Sequence, residues 1–196
     1  MNLPNKLTVA RIAAIPFFII CFYLPDWVLF EVLGAKLYVK YIIAAIIFIL
    51  AFITDALDGH IARKNALITD FGKLMDPIAD KLLTSACMVM LIGRGLMSCC
   101  DFLMPIFTVI VIGREFLISG IRLVAASKGV VMAAGKLGKI KTTLQSIALP
   151  VVLILGPICR AVGVPLDFIL VAASVIMTIW SGADYTIKSK NLFSDR

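Results

Sequence analysis

Charge is what this sequence has least of. Only 16% of its 196 residues are charged, while 61% are hydrophobic. An average soluble domain carries about 25% charged residues. That balance excludes an ordinary soluble domain, a disordered chain and a collagen-like chain. Five cysteines (Cys21, Cys87, Cys99, Cys100, Cys159) form no CxxC motif and no Cys/His cluster. A disulfide scaffold is therefore excluded, and the thiols read as small apolar fillers. The net charge of +7 brings no basic stripe interleaved with aromatics, and most cations border apolar runs. Nucleic acid is thus not the expected partner; a lipid bilayer is. Internal repeats are lacking too, and the length leaves room for one membrane domain with no separate soluble one. No small-x-small cleavage site follows the apolar stretch after Lys6 and Arg11. This stretch reads as an uncleaved first helix, not a signal peptide.

What is present is six apolar segments, at about 8–24, 36–58, 72–92, 102–125, 140–159 and 164–187. They predict an all-α polytopic membrane protein with six transmembrane helices, a single integral-membrane catalytic domain over 1–196. Most segments reach spanning length only by including charges. Those charges fall at the end of segment 2 (Asp55, Asp58) and the start of segment 3 (Asp76, Asp80, Lys81). They recur in the second half of segment 4 (Arg114, Glu115, Arg122), the start of segment 5 (Lys139, Lys141) and the end of segment 6 (Asp184). Antiparallel neighbours would bring all of these ends, with Asn5, Thr8 and Arg11, to one side. Of nineteen lysines and arginines, only Lys36, Lys40, Arg94 and Arg160 fall on the other side. The positive-inside rule makes the charged side cytoplasmic, with both termini there. A polar, water-accessible cavity on the cytoplasmic side is the expected consequence, because intramembrane ionisable groups face inward and mark function.

Four aspartates dominate that cavity. Asp55 and Asp58 are i,i+3 neighbours; Asp76 and Asp80 are i,i+4 neighbours. Two antiparallel helices joined by a short loop would gather all four. Four carboxylates that close cannot all stay ionised without cations, and they match two divalent ions. Oxygen-only ligation favours Mg²⁺ or Mn²⁺. Gly59 and Ala62 would let a ligand approach the backbone, and Arg63 can grip phosphate oxygens bidentately. The plain alternative is a helix hairpin with acidic ends.

From Asp55 to Asp80 the chain matches D-x2-D-G-x2-A-R-x8-G-x3-D-x3-D at every fixed position. This resembles the signature of the CDP-alcohol phosphotransferases, and the six-segment layout extends the likeness over nearly the whole chain. The resemblance implies transfer of a phosphatidyl group from CDP-diacylglycerol to an alcohol, with CMP leaving. It implies that Asp55, Asp58, Asp76 and Asp80 hold the metals and that Asp80 is the general base. It places the cytidine diphosphate at Asp58, Gly59, Ala62 and Arg63. Asn5 and Thr8 would wall the nucleotide site; the alternative for them is an N-terminal cap and interfacial anchor. Homodimers in the plasma membrane are the assembly and location implied.

A second constellation concerns the acceptor. Arg114, Arg122, Lys136, Lys139 and Lys141 would form a basic pocket beside the aspartates. Such a pocket suits an acceptor that itself carries phosphate. Arg114 and Glu115 are adjacent, so their side chains should diverge and each should find another partner. The R-E-F-x-I and G-K-x-K-T-x-x-Q patterns resemble the branch of the family whose acceptor is glycerol 3-phosphate. Sister members accepting a phosphodiester lipid or inositol phosphate are the alternatives. A divalent-cation transporter is the distant one. His60 reads as an interfacial residue, with a nucleotide contact as the alternative; Asp184 and Tyr185 have no role assigned.

Overall fold

The computed structural model describes residues 3–64, 70–130 and 135–190, with side chains at 7–55, 78–79, 81–130, 135 and 137–190. The described helices are α1 (Leu3–Cys21), α2 (Val39–Lys64), α3 (Asp70–Leu91), α4 (Met104–Ser127), α5 (Lys136–Val162) and α6 (Leu166–Lys188). Three apolar stretches among the described residues are long enough to cross a membrane: Asp101–Ser127, Leu137–Val162 and Leu166–Lys188. Large apolar side chains face outward around the bundle, among them Phe17, Val109, Phe116, Leu123, Ile176 and Trp180. A soluble surface does not carry such a belt; a hydrocarbon-facing one does. The protein is therefore mostly helical and membrane-embedded.

The core forms where α1 packs on α2 and α3, and where α5 packs on α6 and α2. Fully buried Ala44, Ala45 and Ala148 let these helices approach closely. Around them lies an aromatic cluster. Phe18 and Phe22 meet edge-to-face at 5.3 Å between ring centroids, and Phe22 meets Tyr41 at 5.7 Å. All five cysteines are free thiols, and Cys21, Cys87 and Cys159 are buried, in keeping with a filling role.

Several hydroxyls inside the bundle are satisfied within their own helix. In α6, Ser174 Oγ donates to the Val171 carbonyl (2.7 Å), Thr178 Oγ1 to Ser174 (2.7 Å) and Ser181 Oγ to Thr178 (3.1 Å). In α4, Thr108 Oγ1 donates to Met104 O (2.8 Å). This back-bonding is how hydroxyls are tolerated in an apolar interior.

The connection between α1 and α2 differs from expectation. Residues 36–38, expected to begin the second span, instead belong to an antiparallel hairpin of β1 (Val28–Val32) and β2 (Ala35–Tyr38). Its two-residue turn is Leu33-Gly34, with φ of 52° and 78°. Both values are positive, as a type I′ turn requires, so the turn's twist matches that of the strands.

The opposite end of the bundle from the α1 N-terminus is also tied by backbone contacts. Buried Asp167 accepts from the Ser98 amide (2.6 Å) and the Ser98 hydroxyl. Gly156 lies against the same loop; a Cβ there would stand 2.2 Å from the Leu96 carbonyl oxygen. Gly156→Ala should cost about 1–3 kcal/mol through this overlap. A thermal midpoint equal to that of the parent protein would contradict the close packing.

Candidate functional site

The N-terminal part of α1 leans on the C-terminal part of α2 through Arg11. This arginine is buried, donates from Nε to the Ala51 carbonyl (3.2 Å) and from NH1 to Asp55 Oδ1 (2.7 Å). Asp55 nevertheless keeps 39% of its side chain exposed, in the wall of a cavity of about 600 Å³. The cavity is lined by Lys81 from α3, Arg114, Glu115 and Arg122 from α4, and Lys139 and Lys141 from α5. From α6 come Ser181, Asp184 and Tyr185. These are the alternating helix ends that the charge pattern marked, now brought together. Among the described charged residues of the lining there are five cations and three carboxylates, so the wall is net positive.

Glu115 organises the cations. Its Oε1 accepts from Lys141 Nζ and from Arg114 NH1 (3.0 Å), and its Oε2 lies 4.0 Å from Lys81 Nζ. Adjacency did not keep Arg114 and Glu115 apart, contrary to the expectation from helix geometry. Both side chains are long enough to bend toward the same cavity. Each also has the further partner expected of it: Arg114 NH2 donates to Ser181 Oγ (3.0 Å), and Glu115 holds Lys141. Arg114 Nε is buried with no acceptor among the described residues. Gly182 gives this arginine room, since a Cβ there would come within 3.1 Å of Arg114 Cγ. Arg122 Nε donates to the Tyr185 hydroxyl (3.1 Å), with the guanidinium 5.8 Å from the ring centroid.

Of the expected acceptor residues, Arg114, Arg122, Lys139 and Lys141 line the cavity that holds Asp55. Thr8 is buried one turn from Arg11 and does not line the cavity. The side chains of Asn5, Asp58, Gly59, His60, Ala62 and Arg63 lie outside the described residues, as do those of Asp76, Asp80 and Lys136. One contributor was missed in the sequence, and two stood there without a role. Ser181 gives no signal there, because a lone serine in an apolar helix has many uses. Tyr185 and Asp184 sat beside the charged end without an assigned role, and the structure puts both in the wall.

The fold and cavity together define a membrane-embedded helix bundle with carboxylates and cationic side chains lining one cavity. The family model for CDP-alcohol phosphatidyltransferase matches residues 1–180, and the chain belongs to that family. The family is divalent-cation dependent. The chain is 42% identical over 189 residues to the CDP-diacylglycerol–glycerol-3-phosphate 3-phosphatidyltransferase of Bacillus subtilis, covering 96% of this chain and 95% of that one. It is 40% identical over 195 residues to the enzyme of that name from Rickettsia felis, covering 98% and 97%. A CMP-forming cardiolipin synthase of Oryza sativa is 36% identical over 162 residues, covering 78% and 46%.

Removing the central carboxylate should be costly. Glu115→Gln leaves partly buried Arg114 and buried Lys141 without their counter-charge, a loss of about 3 kcal/mol. Lys188→Gln breaks only an exposed i,i+4 pair with Asp184 and should barely move the thermal midpoint. Equal midpoints for the two variants would refute the organising role.

Proposed function

We propose that the chain makes phosphatidylglycerophosphate and CMP from CDP-diacylglycerol and glycerol 3-phosphate. The observation that carries this reading is the basic wall of Arg114, Lys139 and Lys141 in the same cavity as Asp55. A neutral acceptor needs no such wall; a phosphomonoester does. The names of the Bacillus and Rickettsia relatives support the same acceptor.

The placement proposed is a plasma membrane crossed six times, as one catalytic domain over 1–196, with the cavity and both termini cytoplasmic. The diacyl tails of the donor stay in the bilayer while its headgroup enters the cavity. A homodimer is the proposed assembly. The mid-bundle core built on Phe48, Met88 and Leu149 is apolar, which disfavours an ion pathway across the membrane.

Two divalent cations, Mg²⁺ or Mn²⁺, are proposed to be held by Asp55, Asp58, Asp76 and Asp80. Asp55 fits that role: it is an exposed carboxylate at the cavity wall, on the helix that continues through Asp58. Arg11 donates to its Oδ1 and holds the carboxylate at the cavity wall. When bound, such ions neutralise diphosphate charge and ease departure of CMP. The protein's own groups do the rest. Gly59, Ala62 and Arg63 hold the cytidine diphosphate, with Asn5 and Thr8 beside it. Arg114 and Lys139 hold the acceptor phosphate, with Lys141, Arg122 and Lys136 contributing to the same field. The acceptor hydroxyl oxygen forms a bond to the β-phosphorus as the bond to CMP breaks. Its proton passes to Asp80. Holding both substrates in line supplies much of the acceleration.

Purified protein given CDP-diacylglycerol and Mg²⁺ or Mn²⁺ should release CMP with glycerol 3-phosphate, and not with serine, inositol phosphate or phosphatidylglycerol. Release only with phosphatidylglycerol would move the acceptor to a lipid, and release with none would end the enzyme reading. Lys139→Gln should raise the acceptor KM about tenfold or more while the donor KM stays within about twofold, as loss of one charge-assisted phosphate contact requires. An equal rise in both would argue against an acceptor subsite.

A further inference from the structure

The end of the bundle remote from the aspartates carries a second basic cleft, of about 730 Å³. It lies between the β-hairpin, the loop after α3 and the C-terminal turn of α5. All four cations assigned to the far side by the charge pattern line it: Lys36, Lys40, Arg94 and Arg160. Among the described residues, the one carboxylate in its lining is Asp26. Asp26 pairs with Lys40, which is 7% exposed and also lies 5.0 Å from the Tyr41 ring centroid. The other three cations have no carboxylate partner among the described residues. Arg160 donates to the carbonyls of Gly95 (2.6 Å) and Met97. Arg94 stands over the rings of Phe22 (5.9 Å) and Tyr23 (5.5 Å). Lys36 stands opposite Glu31 in the strand register and makes no ion pair with it.

The site is thus a gathered net charge of about three, held by aromatic rings and backbone carbonyls rather than by acids. Like charges gathered this way repel unless an anion answers them. The setting says what kind of anion. Along α2, Lys40 and Asp55 are about 22 Å apart, and along α5, Lys141 and Arg160 are about 28 Å apart. That is close to the roughly 30 Å hydrocarbon thickness of a bilayer, so the cleft sits at the opposite interface. Beside it the hairpin presents Trp27, Leu29, Phe30 and, at its tip, Leu33, which is 73% exposed. An apolar tip next to a basic cleft is the pattern of an element lying at headgroup level.

We propose that this cleft binds a phosphate-bearing anion, the headgroup of an anionic phospholipid in the leaflet opposite the catalytic cavity. Arg94 and Lys36 meet the phosphate oxygens, and Arg160 and Lys40 supply the standing field behind them. The hairpin's apolar residues take the upper acyl chains. The site is separate from substrate turnover; it anchors the enzyme's far end in membranes rich in anionic lipid.

The test uses the full chain in detergent, titrated with phosphatidic acid or phosphatidylcholine and read by native mass spectrometry. The parent protein should hold phosphatidic acid about tenfold more tightly than phosphatidylcholine. A Lys36→Gln/Arg94→Gln double variant, which touches neither the Asp26–Lys40 pair nor the Arg160 contacts, should lose that preference and keep its CMP release. Lys139→Gln, in the other cavity, should retain the preference. Preference kept by the double variant, or absent from the parent, overturns the proposal. A second arm adds inorganic phosphate alone and follows the thermal midpoint. A rise in the parent protein and not in the double variant, without any lipid preference, overturns the lipid occupant and assigns the cleft to phosphate from solution.

Discussion

The Glu115 carboxylate is the point on which the rest of the charged architecture depends. It draws Lys141 of α5 and Lys81 of α3 toward α4, and through Arg114 and Ser181 it reaches α6. Four helices therefore share one counter-charge. In a medium of low dielectric, cations this close would repel without it, and the cavity wall would open. With it, the cations stand together at fixed spacing, which is what recognition of a phosphate group needs. One buried N–H, Arg114 Nε, is left without an acceptor among the described residues.

Arg11 plays the matching part on the other wall. It ties α1 to α2 through a backbone carbonyl and Asp55, so the first helix is fastened beside the acidic motif. The same contact sets the orientation of the Asp55 carboxylate at the cavity wall.

Much of this was legible in the sequence. Alternation of charged ends along successive apolar segments forced those ends to one side, and Asp55, Lys81, Arg114, Lys139 and Asp184 do share one cavity. The reason is topological: short connections between helices leave little freedom. The hairpin was not legible, because Leu33-Gly34 lacks the asparagine or aspartate that usually announces such a turn, and residues 36–38 of its second strand read as the start of a helix. The role of Glu115 was not legible either. Its partners Lys81 and Lys141 lie 34 and 26 residues away on other helices, and no local pattern reports a contact of that range. The adjacent pair Arg114–Glu115 shows the limit of helix-face rules. Those rules describe where Cβ atoms point, and a guanidinium sits five bonds further out.

The hydroxyl ladder of α6 bears on electrical insulation. A cavity that admits water and ions deep into one leaflet thins the barrier beneath it. Ser174, Thr178 and Ser181 continue below that cavity along the same helix, and by composition they look like stepping stones for water. Each has spent its proton on a carbonyl of its own helix. None offers a donor to a neighbouring hydroxyl along the track, so no chain of exchangeable protons is built through it. Hydroxyls can therefore line the depth of this helix without forming a relay for protons.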